Sequence, residues 1–234
     1  MTVEERLGAG ESLPHPIVRL AAAVGDVVAA VAGQPAAELG EFARTLREVG
    51  ANPVTKAAPR SAEMVPALRH LPGALAAVDV ASPSVLREEI CAALGHAAWS
   101  SYYARSAWSA PFVDDLAVGL LAGPGAPLAC DGLALGLFLQ GPHTDYPPHA
   151  HAAVEVYVVV GGRAGFQCGA HAPFRVAGSG SVVLHHSDQA HAISTAEAPL
   201  LAVYARQGDV TAPPWYRRDM SDDDEPRSRP PLRN

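Results

Sequence analysis

The first half of the chain repeats its apolar residues at helical steps. Across 14–33, Ile17, Leu20, Ala21, Val24, Val28 and Val31 recur every three or four positions. That spacing predicts a helix with one stripe to bury, and Gln34-Pro35 closes it. A second stripe of Leu39, Phe42, Leu46 and Val49, with Glu38, Glu41, Arg44, Arg47 and Glu48 on the other faces, predicts another helix ended by Gly50 and Pro53. Residues 51–60 read as a loop, and 61–78 as one or two short helices interrupted by proline. Ser82-Pro83 is a helix start, a capping hydroxyl with proline at the first helical position, and Leu86, Ile90, Leu94 and Ala97 form the face that follows.

Near Asp131 the period changes. Leu133, Leu135, Leu137 and Leu139 alternate with smaller residues, a strand pattern. Further strands are expected at 151–160, 164–168, 174–176, 182–185, 192–195 and 200–205, separated by Gly, Pro and Asp. Short strands so punctuated predict a mainly β chain, a single antiparallel barrel or jelly roll preceded by an α-helical region. The expected division is a helical region over 1–125 packing on the barrel, the barrel itself over 126–212, and a polar, Pro-rich, disordered tail over 213–234.

The chemistry gathers in Tyr146–Gly162, YPPHAHAAVEVYVVVGG. His149, His151, Glu155 and Tyr157 all occupy odd positions, which share a face if the stretch is one strand. The even positions Val154, Val156, Val158 and Val160 are β-branched and suit a packed face. Gly161-Gly162 is expected to turn a hairpin. Burying such an inner face without partners is costly, about 2–7 kcal/mol even for a neutral polar group. One divalent transition metal ion resolves the conflict, since neutral imidazoles and a carboxylate are its ordinary donors. His191, in HHSDQAHAIS on a later strand, is the fourth candidate. Zn, Fe, Mn and Ni all suit that donor set.

Charge and cysteine content narrow the setting. A formal net charge of −7 with no basic run argues against nucleic acid as partner. Cys91, Cys130 and Cys168 are odd in number and form no CxxC, which favours a reducing compartment. No basic-then-apolar leader is visible, and Arg19 and Asp26 break the most apolar window, so a cytoplasmic protein without membrane contact is expected. Trp99, Tyr102, Tyr103, Trp108 and Phe112 crowd into His96–Phe112 of a chain otherwise poor in aromatics. They read either as a packed helix capping the barrel or as rings closing its mouth over a ligand.

HAHAAVE-VYVVVGG followed by GSGSVVLHHSDQAHAIS resembles the two metal-binding motifs of the cupin superfamily. Within it, GPHTDYPPHAHAAVEVY, the HH-S-x-x-x-HA-x-x-T run and PLLAVYARQGD are similar to the bacterial dimethylsulfoniopropionate (DMSP) lyase family over about 126–210. The resemblance implies a small antiparallel barrel holding one metal ion through His149, His151, Glu155 and His191. It also implies a carbon–sulfur lyase that splits DMSP into dimethyl sulfide and acrylate by base-catalysed β-elimination.

Tyr157 and Tyr146 match tyrosines of the family motif and are the candidate bases, with no ranking between them. Tyr204 matches a third tyrosine. With Tyr103 and Trp108 it is a candidate for contacting a small carboxylate substrate bearing a sulfonium, because aromatic faces stabilise cations by about 0.5–2 kcal/mol each. Of His185 and His186, either one approaches the site or, the preferred expectation, both are exposed or packed; His15, His70, His96, His143 and His171 carry no assigned role. Phe166 stands where the family leads one to expect tryptophan, and Val154 where it leads one to expect an acid. A cupin dioxygenase with a three-histidine, one-glutamate iron site and a non-catalytic small-molecule-binding cupin are the alternatives. Apolar barrel faces are compatible with a homodimer.

Overall fold

A computed structural model describes residues 15–31, 37–49, 65–78 and 84–216. The breaks expected at Gln34-Pro35, Gly50 and Pro53, the loop at 51–60, the Ser82-Pro83 helix start and residues 217–234 of the tail lie outside the described residues. Helices α1 (Pro16–Val31) and α2 (Ala37–Glu48) follow the two apolar stripes, burying Ile17, Leu20, Val24 and Val28 of the first and Phe42 and Leu46 of the second. A 3-10 turn at Pro66–His70 leads into the short α3 (Leu71–Ala76), and α4 (Ser84–Ala93) buries Leu86 and Ile90. Arg47 pairs with Asp26 at 2.7 Å to join α1 and α2, and Arg19 with Glu89 at 2.8 Å to join α1 and α4. Among the described residues no helix is long and apolar enough to cross a membrane.

Among the described residues, eleven strands form two antiparallel sheets. They are β1 (Ala98–Ser100), β2 (Leu116–Ala122), β3 (Leu133–Gln140), β4 (Asp145–Ala150), β5 (Val154–Gly161), β6 (Arg163–Cys168), β7 (Arg175–Gly178), β8 (Val182–His185), β9 (His191–Thr195), β10 (Leu200–Gln207) and β11 (Trp215–Tyr216). The larger sheet runs β1-β2-β3-β10-β5-β8 and the smaller β11-β4-β9-β6-β7. This is the expected mainly β, jelly-roll architecture with helices at the N-terminal end. Alternation separates its two cores. Leu133, Leu135, Leu137 and Leu139 of β3 and Val156, Val158 and Val160 of β5 pack outward with α1 and α2. Phe138, Tyr157, Val159, Phe166, Ile193 and Tyr204 face inward. His186 to Glu38 at 2.7 Å and Gln207 to Glu41 at 3.1 Å fasten α2 to the sheet rim.

Four expectations are corrected. The β structure starts before Asp131, at β1 and β2; the LAVGLLA of β2 is buried on nearly every residue, and a short apolar run of that kind has no period to distinguish strand from helix. The aromatic segment is not a helix. It is a 3-10 turn, the strand β1 and then turns through 107–115, with Trp99 of β1 paired to Gly119 of β2. Trp215 and Tyr216, assigned to the tail, pair with Ala150 and His149.

Lastly, Gly161-Gly162 makes no hairpin, because β5 and β6 belong to different sheets and the turn carries the chain around the corner between them. Gly162 has φ +76°, and a Cβ there would stand 2.1 Å from the Pro199 carbonyl oxygen. Gly125 has a similar φ of +72° but open space around it. Gly125→Ala should therefore cost only the left-handed backbone penalty of about 1–2 kcal/mol. Gly162→Ala should cost clearly more by urea denaturation, and equal losses would show that the corner tolerates a side chain.

Candidate metal centre

The stretch expected to be one strand is two strands from different sheets. His149 is the penultimate residue of β4, His151 lies in the turn, and Glu155 and Tyr157 lie in the first half of β5. The two sheets meet at this corner, so the side chains converge from opposite walls. His191 opens β9 directly opposite His149. His151, Glu155 and His191 are buried and offer donor atoms all within 4.8 Å of one another. His149 is outside that group, yet its ring centroid is 4.1 Å from that of His191 and 6.4 Å from that of His151.

Three local hydrogen bonds set the imidazoles. His149 Nδ1 donates to the Pro147 carbonyl at 3.0 Å, His151 Nδ1 to Ala153 at 2.8 Å, and His191 Nδ1 to Gln189 at 2.8 Å. A carbonyl only accepts, so each Nδ1 carries the hydrogen and each neutral ring keeps its lone pair on Nε2. Burial favours that neutral form, holding His149 well below, and His151 below, the ordinary imidazole range. The His149 and His191 Nε2 atoms have no hydrogen-bond partner. Glu155 Oε2 lies 3.1 Å from His151 Nε2 and 3.3 Å from His191 Nε2. Lone pairs on neutral imidazoles facing a carboxylate oxygen repel, and a cation among them converts that repulsion into ligation. On this donor chemistry the residues fit a divalent metal.

Glu155 is held from its other side as well. Arg206, opposite it on β10, donates from Nε to Oε1 at 2.7 Å. Burial alone would push the Glu155 carboxyl up, but the Arg206 guanidinium outweighs it and holds the group well below the usual carboxylate range. The guanidinium also donates to the Tyr102 hydroxyl at 3.2 Å and stands over the Tyr102 and Tyr204 rings at 5.7 and 5.5 Å. Arg206 thus occupies the cation-binding face of Tyr204, a ring expected to meet the substrate. Its signal in the sequence was phase: it follows Tyr204 by two residues, on the same face of the strand.

The other candidates line the interior. Tyr157 pairs with Tyr204 across β5 and β10. Tyr146 stacks on His149 at 4.0 Å, and its hydroxyl meets that of Tyr103 at 2.5 Å. Burial raises Tyr103, Tyr146 and Tyr157 well above the ordinary phenol range, and raises Tyr204 too. Tyr103 is fully buried, while Trp108 is half-buried and packs edge-on against Tyr103 and Phe112. A chain of rings thus runs Trp108–Tyr103–Tyr146–His149–His191. His185, the member of the HH doublet that approaches the site, faces the same interior opposite Glu155. The HH doublet carried the signal, since alternation turns one of two adjacent strand residues inward; His186 is the exposed one.

Glu155 contributes stability above its unfolded pKa of about 4.3, and that contribution is lost only as the pH falls through its lower folded value. Arg206→Met removes the partner and leaves a buried carboxylate. The metal-free variant should be less stable than wild type by roughly 3–5 kcal/mol at pH 7. The deficit should shrink toward pH 3 in urea titrations, and a pH-independent deficit would mean that Arg206 acts by packing alone.

Comparison with known proteins follows the same lines. A family model described as dimethylsulfoniopropionate lyase matches residues 40–202. The dimethylsulfoniopropionate lyase DddQ of Ruegeria pomeroyi is 34% identical over 131 residues, which is 56% of this chain. That match spans 65% of the relative's own length. A crystal structure of the DMSP lyase DddQ from Ruegeria pomeroyi superposes with a TM-score of 0.63 at 27% identity, covering 84% of this chain and 94% of that one. A chain from crystal structures of the DMSP lyases RdDddP and RnDddQII gives 0.61 at 24% identity over 87% and 98% of the two chains, a likeness of fold.

Proposed function

The chain belongs to the dimethylsulfoniopropionate lyase family, and from that premise we propose that it is a metal-dependent carbon–sulfur lyase converting DMSP to dimethyl sulfide and acrylate. The observation that carries the reading is the convergence of His151, Glu155 and His191 within 4.8 Å beside two buried tyrosines. His149 is the fourth proposed donor, its Nε2 unpartnered and its ring against His191. A divalent ion held there would supply Lewis-acid polarisation of the substrate carboxylate and a positive field over the nearby phenols.

The residues divide the remaining work. Tyr146 is the proposed base that takes the proton from the substrate α-carbon. The C–H electron pair then forms the carbon–carbon double bond, and the β-carbon–sulfur bond breaks with its pair going to sulfur, which leaves as neutral dimethyl sulfide. A buried phenol is a poor base, and Tyr146 has a specific aid that supports it over Tyr157. The Tyr103 hydroxyl, 2.5 Å away, can donate to a Tyr146 phenolate. That hydrogen bond acts to lower Tyr146 and to raise Tyr103. Tyr157, with Glu155 two residues before it, gains repulsion from that carboxylate, second only to burial in raising it. It is assigned to lining the substrate space.

The rings of Tyr103 and Trp108 are proposed to face the sulfonium end. Tyr204, already beneath Arg206, is reassigned to holding that guanidinium. The buried rings of Phe138, Tyr157 and Phe166 keep water from the reacting carbon, which strengthens every electrostatic contact inside.

Headspace detection of dimethyl sulfide from purified, metal-loaded protein given DMSP tests the activity, and it should proceed without oxygen. Tyr146→Phe should lose about 10²–10⁴-fold in kcat, the usual worth of a positioned base, with metal content unchanged. Tyr157→Phe should lose less. No dimethyl sulfide from the wild type contradicts the lyase, and a larger loss in Tyr157→Phe contradicts the assignment of the base.

A further inference from the structure

Among the described residues, His185 is a buried polar side chain beside the metal centre with no place in the chemistry so far. Its side chain has no exposure, and neither ring nitrogen has a hydrogen-bond partner. The main chain around it is satisfied by β8 pairing with β5, in register Glu155 to His185, so the side chain projects to the same face as Glu155. There it lies over the His191 ring at 4.1 Å with 13° between planes. It is edge-on to Tyr157 at 5.8 Å and nearly parallel to Phe166 at 6.5 Å. Two orphaned nitrogens in such a place cost several kcal/mol if nothing ever meets them.

The metal is not what meets them. An imidazole lone pair lies in its ring plane, and the His185 and His191 planes are nearly parallel with centroids 4.1 Å apart, so their lone pairs do not meet at one point. His185 therefore faces the interior beside the donor group, flanked by the rings of His191, Tyr157 and Phe166.

We propose that His185 is a substrate-contact residue that donates a hydrogen bond to the carboxylate of the bound substrate. The inference rests on the carboxylate-substrate reading above and adds the residue that recognises the carboxylate apart from the metal donors. A neutral imidazole suits the task, having one N–H for an anionic oxygen and no charge of its own to repel a neighbouring cation.

Propionate, which has the carboxylate and no leaving group, is the probe. In metal-loaded protein His185→Phe keeps a flat ring against His191 and Phe166 but removes the donor, and His185→Gln restores a donor of similar reach. Metal per chain should be unchanged in both, and calorimetry should give propionate binding at least about tenfold weaker in the Phe variant, recovered in part by Gln. For DMSP the same substitution should raise KM more than it lowers kcat.

On wild-type protein loaded with Zn²⁺, a histidine ¹⁵N resonance assigned to His185 should shift on adding propionate, which decides the matter even if a variant fails to fold. Loss of metal in His185→Phe, unchanged propionate affinity, a silent ¹⁵N resonance, or a wild type that binds no propionate would each overturn the proposal. Propionate binding that depends on His185 in a protein releasing no dimethyl sulfide would uphold it while removing the lyase reading.

Discussion

A single fully buried carboxylate organises the interior of this protein. Glu155 cannot remain ionised away from water without partners, and the fold surrounds it on two sides. Arg206 takes one oxygen from β10, and the imidazoles of His151 and His191 stand at the other from the turn and from β9. These partners come from both sheets, so the jelly roll must close for the carboxylate to be satisfied. The two oxygens are used unequally. One faces the Arg206 guanidinium, and the other faces the imidazole nitrogens of His151 and His191, a donor group that fits a cation.

The backbone sets the direction of those imidazoles by itself. Each of three imidazoles gives its Nδ1 hydrogen to a carbonyl two residues away, so tautomer and ring direction are set by local chain geometry instead of by the metal. The helices stand at a distance from this chemistry. They cover the outer leucines and valines of the larger sheet and make the strands that carry Glu155 and Arg206 part of a core buried on both faces. Rigidity of β5 and β10 is thus bought on the side opposite the site.

The sequence was most informative where residue type and period agree. Amphipathic stripes gave α1 and α2, and alternating leucines gave β3. The HxH, Glu and later His pointed to their corner of the fold because few other arrangements reconcile those groups with burial. It was least informative where both faces of an element are buried, as in β2, whose LAVGLLA has no period to read. It was also silent where the outcome depends on register. Nothing in the order of residues says that Arg206 and His185 flank Glu155 on the neighbouring strands; that follows from which strands pair and in what phase. The odd-position pattern of His149 to Tyr157 led to convergent groups through a wrong intermediate, since a turn between two sheets and not one strand gathers them.

The central claim is that this donor set exists to hold one ion. Metal analysis joined to X-ray absorption on the protein as purified tests it most directly. One transition-metal ion per chain with two or three imidazole scatterers, lost in Glu155→Ala and in His191→Ala, is the predicted result. A protein that folds and turns over with no stoichiometric metal, or whose metal persists in both variants, would contradict the account.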